Sequence, residues 1–447
     1  MKQLLSLLTI LCLHVVTAKA DDLTVLNIDG IGPDALKKVK QTAQVDWWLE
    51  MGDDLIVSTN DKSTQWPTSV SVKTTLSDVN TAQLAIHVLG HCDHSNTDAI
   101  LHKNLNAIYT GDAVRLISTT NTRDINQLYA HASILPFEKN KVFSYQISNR
   151  SLNQNKQVNS EVQGVLNQVD QDRWFNQVAY LASLDRMLEA DLIIAGEWLE
   201  NKFQNLGLTT SRISLHSEYR GFNILGFKQG TSRADDWYVV GAHLDSRNQN
   251  KNDLLPSPGA EDNASGCSGV LEIANVISIY ETDASIVFMC FIEEENGLLG
   301  SQDVVTHLTN TGDINKVQTM LNMDMIGYRS TGNNTAIAGT NTASYHSLAQ
   351  QVATNGQIYT DLDWQVSLQM CCTDFVSFTQ AGIPAATSNE PDIWNYFAYH
   401  TVNDLAEYVD PTMGSDIVRA NLATLINMVG VDFASGDLIF ADSFEAL

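Results

Sequence analysis

The chain has 447 residues, 44% of them hydrophobic, with 52 acidic against 26 basic side chains and a formal net charge of −26 at pH 7. That apolar content excludes a disordered chain and suffices for at least one large core, with length for two or three domains. The acidic balance argues against nucleic acid as a partner and, being spread along the chain, points to solubility rather than to a particular substrate.

The first element expected is a secretory signal over residues 1–20. Lys2 precedes an uncharged run from Leu4 to Ala18, and the small-x-small site Ala18-Lys19-Ala20 follows. The run is shorter than the ~20 apolar residues that span a bilayer, and no later segment qualifies. The expectation is an extracellular or periplasmic protein that starts at Asp21 and has no membrane anchor. Its cysteines are then Cys92, Cys267, Cys290, Cys371 and Cys372, an odd set in which at least one cannot pair within the monomer. An oxidising compartment permits disulfides without requiring them.

Residues 21–150 contain short β-prone stretches, at 55–58, 84–89 and 113–118, separated by polar turns, and predict a smaller β-rich N-terminal domain. His87, His91, Cys92, Asp93, His94 and His102 cluster there. His87 falls in an alternating β run and the others read as an exposed turn, so a metal role is not assigned. The mostly polar stretch 148–162 contains Arg150 and Lys156, and residues 151–164 are read as a linker that offers a processing site. The N-terminal domain is then a removable pro-domain, with a permanent accessory domain as the rival.

Over residues 165–435 helices alternate with apolar strands. Leu192, Ala195, Leu199, Phe203 and Leu206 recur at helical spacing, and Gly207 sits where a left-handed cap ends a helix. Residues 238–242, 286–292 and 317–323 read as strands, and Val270, Leu271, Ala274 and Ile277 form one helical face between the first two. Strands separated by helices predict an α/β sheet covered on both sides. Ligands gather at the carboxyl ends of strands in such sheets. A tail, residues 436–447, ends the chain with an amphipathic run of unassigned function.

Polar clusters follow these strands. They are His243-Leu244-Asp245, the glycine-bounded Gly259-Ala260-Glu261-Asp262-Asn263-Ala264-Ser265-Gly266, the triple Glu293-Glu294-Glu295, Asp324 after Asn322-Met323, and Tyr399-His400-Thr401 with Asp404 beyond. Taken singly, such residues are turn formers, helix caps or structural histidines. The glutamates, however, end a run that should be buried, where unpaired acids are costly and a cation would remove the cost.

Taken in order, His-x-Asp, Asp-Asn-Ala-Ser-Gly, Glu-Glu-x-Gly-Leu-x-Gly-Ser, Met-Asp-Met and Tyr-His-Thr make residues 160–435 resemble the M28 family of zinc aminopeptidases, which includes secreted bacterial leucyl aminopeptidases. The resemblance implies a three-layer α/β/α zinc-exopeptidase fold with a mixed central sheet. It implies two Zn²⁺ per chain, one on His243, Asp262 and Asp324 and the other on Asp262, Glu295 and His400, with Asp262 bridging. Both Glu293-Glu294 and Glu294-Glu295 are candidate pairs. The downstream Gly297-Leu298-Leu299-Gly300-Ser301, matched to the family pattern, makes Glu294 the catalytic residue and Glu295 the ligand. Asp245 and Asp404 would orient His243 and His400. The family also implies a cis peptide bond between Asp262 and Asn263. Imidazole and carboxylate suit catalytic zinc, and the charge of two Zn²⁺ is nearly balanced by the ligand carboxylates and a bridging hydroxide.

The activity implied is removal of single residues, apolar ones preferred, from peptides with free N-termini by a monomer. A metal-bound hydroxide is the nucleophile and Glu294 the general base. Cys371-Cys372 falls where some relatives have a disulfide. Adjacent cysteines can pair only in an eight-membered ring, so paired and unpaired readings both stand. Thr373-Asp374-Phe375 departs from the Ser-Asp-His of many relatives, and Phe375, Phe378, Trp394, Tyr396 and Phe397 could line a side-chain pocket or belong to the core. The alternatives are a one-zinc glutaminyl-cyclase-like transferase and a non-catalytic binding ectodomain. The presence of every inferred ligand and of Glu294 counts against the ectodomain.

Overall fold

The computed structural model describes residues 21–61, 63–88, 106–111, 114–118, 134–147, 158–216, 219–248, 255–393 and 395–436. The expected signal, the cluster His91, Cys92, Asp93, His94 and His102, Trp394 and the tail 437–447 lie outside the described residues. The N-terminal elements are β1 (Asp21–Asn27), α1 (Pro33–Lys40), β2 (Val45–Gly52), β3 (Asp54–Thr59), β4 (Ser71–Val79), β5 (Leu84–Val88), β6 (Asn106–Thr110), β7 (Val114–Ser118), β8 (Ile134–Pro136) and β9 (Lys141–Gln146). The strands read from sequence here are present to within a residue or two. Helix α1 was not expected, although Pro33 at its first position and Lys37, Lys38 and Lys40 near its end suit a helix start and the negative end of its dipole.

Next come α2 (Ser160–Leu166), α3 (Gln171–Ala182), α4 (Glu189–Asn205), β10 (Thr209–Ile213), β11 (Asn223–Lys228), β12 (Arg233–His243), α5 (Ser265–Ile277), β13 (Glu281–Thr282), β14 (Ala284–Phe291), α6 (Leu299–Thr311) and β15 (Val317–Met323). The chain finishes with β16 (Thr335–Gly339), α7 (His346–Tyr359), β17 (Asp363–Ser367), α8 (Phe375–Gln380), β18 (Ala385–Asn389), α9 (Pro411–Val429) and β19 (Val431–Asp432). Helix α2 corrects the sequence reading, because it starts inside the expected linker 151–164. The Asn159 side chain caps it by accepting from the Glu161 and Val162 amides, and Val162, Val165 and Leu166 are buried. Three apolar residues in a polar stretch were too few to signal a helix by composition.

Among the described residues thirteen strands form one mixed sheet in the order β10-β11-β14-β12-β15-β18-β16-β17-β9-β2-β3-β1-β4. Strand β12 runs parallel to β14 and β15, and β18 parallel to β15. Side chains alternate faces along β14. Ile286, Phe288 and Cys290 join the cluster that holds α3, α4, α5, α7 and α9, while Val287, Met289 and Phe291 join the one that holds α6 and α8. Helices therefore cover both faces, and a strand buried on both sides reads as the unbroken apolar run seen in the sequence.

Composition divides the chain near residue 150, yet backbone pairing crosses that division. Strand β9 pairs antiparallel with β17, setting Gln146 opposite Gln365, and parallel with β2. The amides and carbonyls at the β17 edge are thus satisfied by the N-terminal segment. Strands β6-β7-β5-β8 form a separate four-stranded sheet. His87 is fully buried there, in keeping with its place in an alternating strand. Among the described residues no helix is long and apolar enough to cross a membrane.

Candidate metal centre

Because β12, β14 and β15 are parallel and in register, with His243 opposite Phe291 and Gly241 opposite Asn322, their carboxyl ends lie at one edge. His243 ends β12, Glu294 and Glu295 follow β14, and Asp324 follows β15. The loop from Gly259 brings Asp262 between them, and the segment before α9 adds His400.

Asp262 presents one oxygen to each imidazole. Its Oδ1 lies 3.1 Å from His243 Nε2, and its Oδ2 lies 2.9 Å from His400 Nε2. Asp324 Oδ1 is 3.6 Å from His243 Nε2, and Glu295 Oε1 is 3.3 Å from His400 Nε2. Two buried triads result, His243–Asp262–Asp324 and Asp262–Glu295–His400, each with donor atoms within 4.8 Å of one another. Nitrogen and oxygen donors without thiolate, in two nests that share one carboxylate, fit a pair of zinc-like cations.

Several contacts hold the loop that carries Asp262. Gly259 has φ +52°, and a Cβ there would lie 2.4 Å from the Asp262 carbonyl oxygen, so glycine is required by conformation and by space. The fully buried Arg186 donates from Nε to the Leu244 carbonyl at 2.7 Å, from Nη1 to that of Pro258 at 2.8 Å and from Nη2 to that of Gly259 at 2.7 Å. It ties the His243 loop to the Asp262 loop. Sequence reading missed Arg186, since a lone arginine after a helix carries no signal. The peptide bond between Asp262 and Asn263 is cis, and Asn263 Nδ2 donates to the Met323 carbonyl at 3.0 Å.

The two supporting aspartates act differently from one another. Asp245 takes the Glu294 and Glu295 amides on its carboxylate at 3.1 and 3.3 Å. Nδ1 of His243 lies 3.1 Å from the Asp245 carbonyl oxygen and 3.6 Å from its Oδ1, so Asp245 touches both the imidazole and the amides of the two glutamates. Asp404 was read as the residue that orients His400. Its carboxylate instead accepts from the Glu261 amide at 2.9 Å, the Asp262 amide at 3.0 Å and the Tyr396 hydroxyl at 2.6 Å. Proximity along the chain suggested the imidazole, but the fold directs Asp404 to the bridging loop.

Glu293, left as an extra neighbour by the sequence, pairs with Arg220, whose Nε donates to its Oε1 at 2.7 Å. Glu293, Met325 and His400 all adopt positive φ, so three non-glycine left-handed residues flank the centre. Glu294 is 1% exposed, and its Oε1 takes no hydrogen bond among the described residues. Burial pushes its carboxyl well above the usual range, helped by Glu295, Asp324 and Asp374 and opposed by His243. Burial likewise lifts Asp374 to about 7. Burial lowers the His243 imidazole, but Glu294 and Asp324 outweigh it and the net direction is well above the ordinary value. This crowding of like charge is what divalent cations would relieve.

Cys371 and Cys372 form a disulfide and pack in a buried cluster with Trp47, Met51 and Phe143 of the N-terminal strands. Phe375 and Phe378 are fully buried core residues, and Phe397 is 59% exposed, so neither group lines a closed pocket. Tyr396 is buried in the core cluster that also holds Met325 and Ile393.

Residues 223–425 match the family model described as Peptidase family M28. The chain is 31% identical over 192 residues to a probable zinc metalloprotease of Pyrenophora teres f. teres, covering 37% of this chain and 41% of that protein. It is 30% identical over 189 residues to leucine aminopeptidase 1 of Leptosphaeria maculans, covering 40% and 48%. It thus spans less than half the length of these relatives. The fold is similar to that of the LapA aminopeptidase of Legionella pneumophila, with TM-score 0.55, 21% identity, and coverage of 78% of this chain and 98% of that one. An aminopeptidase from Aneurinibacillus sp. strain AM-1 gives TM-score 0.50 and 16% identity, covering 60% and 96%.

Proposed function

We propose that this protein, whose residues 223–425 match the model described as Peptidase family M28, is a secreted di-zinc aminopeptidase that hydrolyses the N-terminal bond of peptides, with Glu294 as general base. The observation that carries the reading is the placement of Asp262, with one oxygen toward His243 and the other toward His400, each imidazole completed by a further carboxylate.

His243, Asp262 and Asp324 would hold one metal and Asp262, Glu295 and His400 the other. Bound metals would supply Lewis-acid polarisation of the scissile carbonyl and a water acidic enough to ionise near neutral pH. Glu294 takes the proton from the attacking water and returns it to the leaving nitrogen, so the carboxyl is unchanged after each turnover. Its backbone is held by Asp245, and burial raises its carboxyl above the usual carboxylate range. The name of the Leptosphaeria relative supports a preference for apolar N-terminal side chains.

The signal-like pattern of residues 1–20 supports secretion. The β9–β17 ladder and the cluster shared with Cys371 and Cys372 favour a permanent accessory role for the N-terminal strands, because removing them would open a sheet edge and expose apolar surface. Metal analysis coupled to hydrolysis of free and N-acetylated aminoacyl substrates tests the activity. Two zinc per chain and cleavage of the free forms alone are expected, and cleavage of acetylated forms would overturn exopeptidase action. N-terminal sequencing of secreted protein, expected to begin at Asp21, tests export and retention of the segment together.

A further inference from the structure

Asp374 stands at the turn before α8, and that turn is held against the metal centre from two sides. Asn322, two residues before Asp324, donates from Nδ2 to Thr373 Oγ1 at 3.0 Å, and Ser377 Oγ meets Ser301 Oγ at 2.9 Å. Asp374 is 1% exposed, and neither of its carboxylate oxygens accepts a hydrogen bond among the described residues. Ser301 lies near enough to favour its ionised form, but that hydroxyl donates to the Leu298 carbonyl at 3.1 Å. Other carboxylates around the triads are engaged. Glu293 pairs with Arg220, while Asp245, Asp404 and Glu261 each accept from two backbone amides. Asp374 belongs to the same centre, since its charge opposes ionisation of Glu294 and is itself favoured by His243. A buried carboxylate without a cation or a donor is costly, and its presence calls for a partner that arrives from outside the fold.

We propose that Asp374 accepts the free α-ammonium group of the substrate and is thereby a specificity-determining residue for an unblocked N-terminus. The inference rests on the aminopeptidase reading. In a peptide the α-nitrogen is separated from the scissile carbonyl by a single carbon, so the group that reads it must stand beside the group that serves that carbonyl, here Glu294. The ligand carboxylates of Asp262, Asp324 and Glu295 with a hydroxide balance two divalent cations, which leaves Asp374 as a negative charge for an incoming cation to match. An ammonium offers it charge-assisted hydrogen bonds, and the surrounding low dielectric strengthens them. N-acetylation removes the charge and would leave Asp374 unpaired in the complex, and a buried polar group left unpaired is a strong source of discrimination.

Calorimetry on full-length, zinc-loaded Glu294→Gln protein, which should bind without turnover, compares leucinamide with 4-methylpentanamide, in which hydrogen replaces the α-amine. Leucinamide should bind about tenfold or more tightly, as a hydrogen bond to a charged group implies. Adding Asp374→Asn should bring the two affinities together while 4-methylpentanamide binding and zinc content stay as they were. In otherwise unsubstituted protein, Asp374→Asn should raise KM for leucyl-p-nitroanilide about tenfold with a smaller change in kcat. A residue that only aims Glu294 would instead lower kcat and keep the affinity ratio. Metal-free Asp374→Asn protein should melt no lower than the unsubstituted protein, because a buried unpaired charge is removed. Asp374→Ser carries the same comparisons if the asparagine variant does not fold. Equal binding of the two ligands before Asp374 is changed, a preference that survives its replacement, or loss of zinc on replacement would each overturn the proposal. Hydrolysis of leucyl-p-nitroanilide by the unsubstituted protein would then leave the aminopeptidase standing, and its absence would overturn both.

Discussion

Replacing Asp404 with alanine isolates the contact that holds the bridging loop. The substitution removes the acceptor of two backbone amides and one hydroxyl at 2.9, 3.0 and 2.6 Å, in a place where Asp404 is 2% exposed. Each donor left buried without a partner costs about 1–3 kcal/mol. Water entering the vacated space recovers part of that, so the net loss should be about 3–6 kcal/mol. Urea unfolding of chelator-treated protein measures this without the stabilisation that metal adds. Tyr396→Phe removes only the hydroxyl donor and should cost about 1 kcal/mol. The Asp404→Ala protein should also bind zinc about 10- to 100-fold more weakly, as found when groups that orient metal ligands are removed. Metal-free stability within about 1 kcal/mol of the unsubstituted protein would refute the assignment of Asp404 to the loop.

Glu294→Gln should retain two zinc per chain by elemental analysis while turnover falls by about 100-fold or more; loss of metal instead would make Glu294 a ligand. Chelation of the loaded protein should lower its stability by about 2.7 kcal/mol per site at a metal concentration 100 times Kd, read as a concentration-dependent Tm. A third test concerns Glu272, whose carboxylate accepts from Arg173 at 2.7 and 2.6 Å and from the Asp170 amide at 2.8 Å. Burial raises this group above 4.5 despite Arg173. The folded state therefore holds the proton more tightly than the unfolded one, and stability falls as pH rises from about 4.5 through the raised value. Glu272→Gln should remove that part of the slope, and an unchanged profile between pH 4 and 7 would contradict it.

What could be read before any coordinates depended on local pattern. The apolar run of β14 and the helical spacing of Leu192, Ala195, Leu199 and Phe203 follow from which faces are buried, and burial leaves a period in the sequence. His243, Asp262, Glu294, Glu295, Asp324 and His400 were visible because each stands in a short motif at or just beyond a strand or in a loop. Gly207 shows the same legibility on a smaller scale, its positive φ ending α4 as its placement predicted.

Contacts between distant segments left no such trace. Arg186 reaches the Leu244 and Gly259 carbonyls across 58 and 73 residues, and Arg173 reaches Glu272 across 99. The side chain of Asp404 meets amides 143 and 142 residues away rather than the histidine four residues before it. Strand β9 shows no hydrophobic preference for β17, since a ladder is made of backbone groups that every residue carries. The sequence by itself determined which residues are chemically able to hold a cation and which stretches become strands or helices, because those depend on neighbours in the chain. Only the tertiary structure decided that Arg186 ties the two loops, that Asp404 holds the Asp262 loop and which strands complete the sheet, because distances between remote groups are set by packing of the whole molecule.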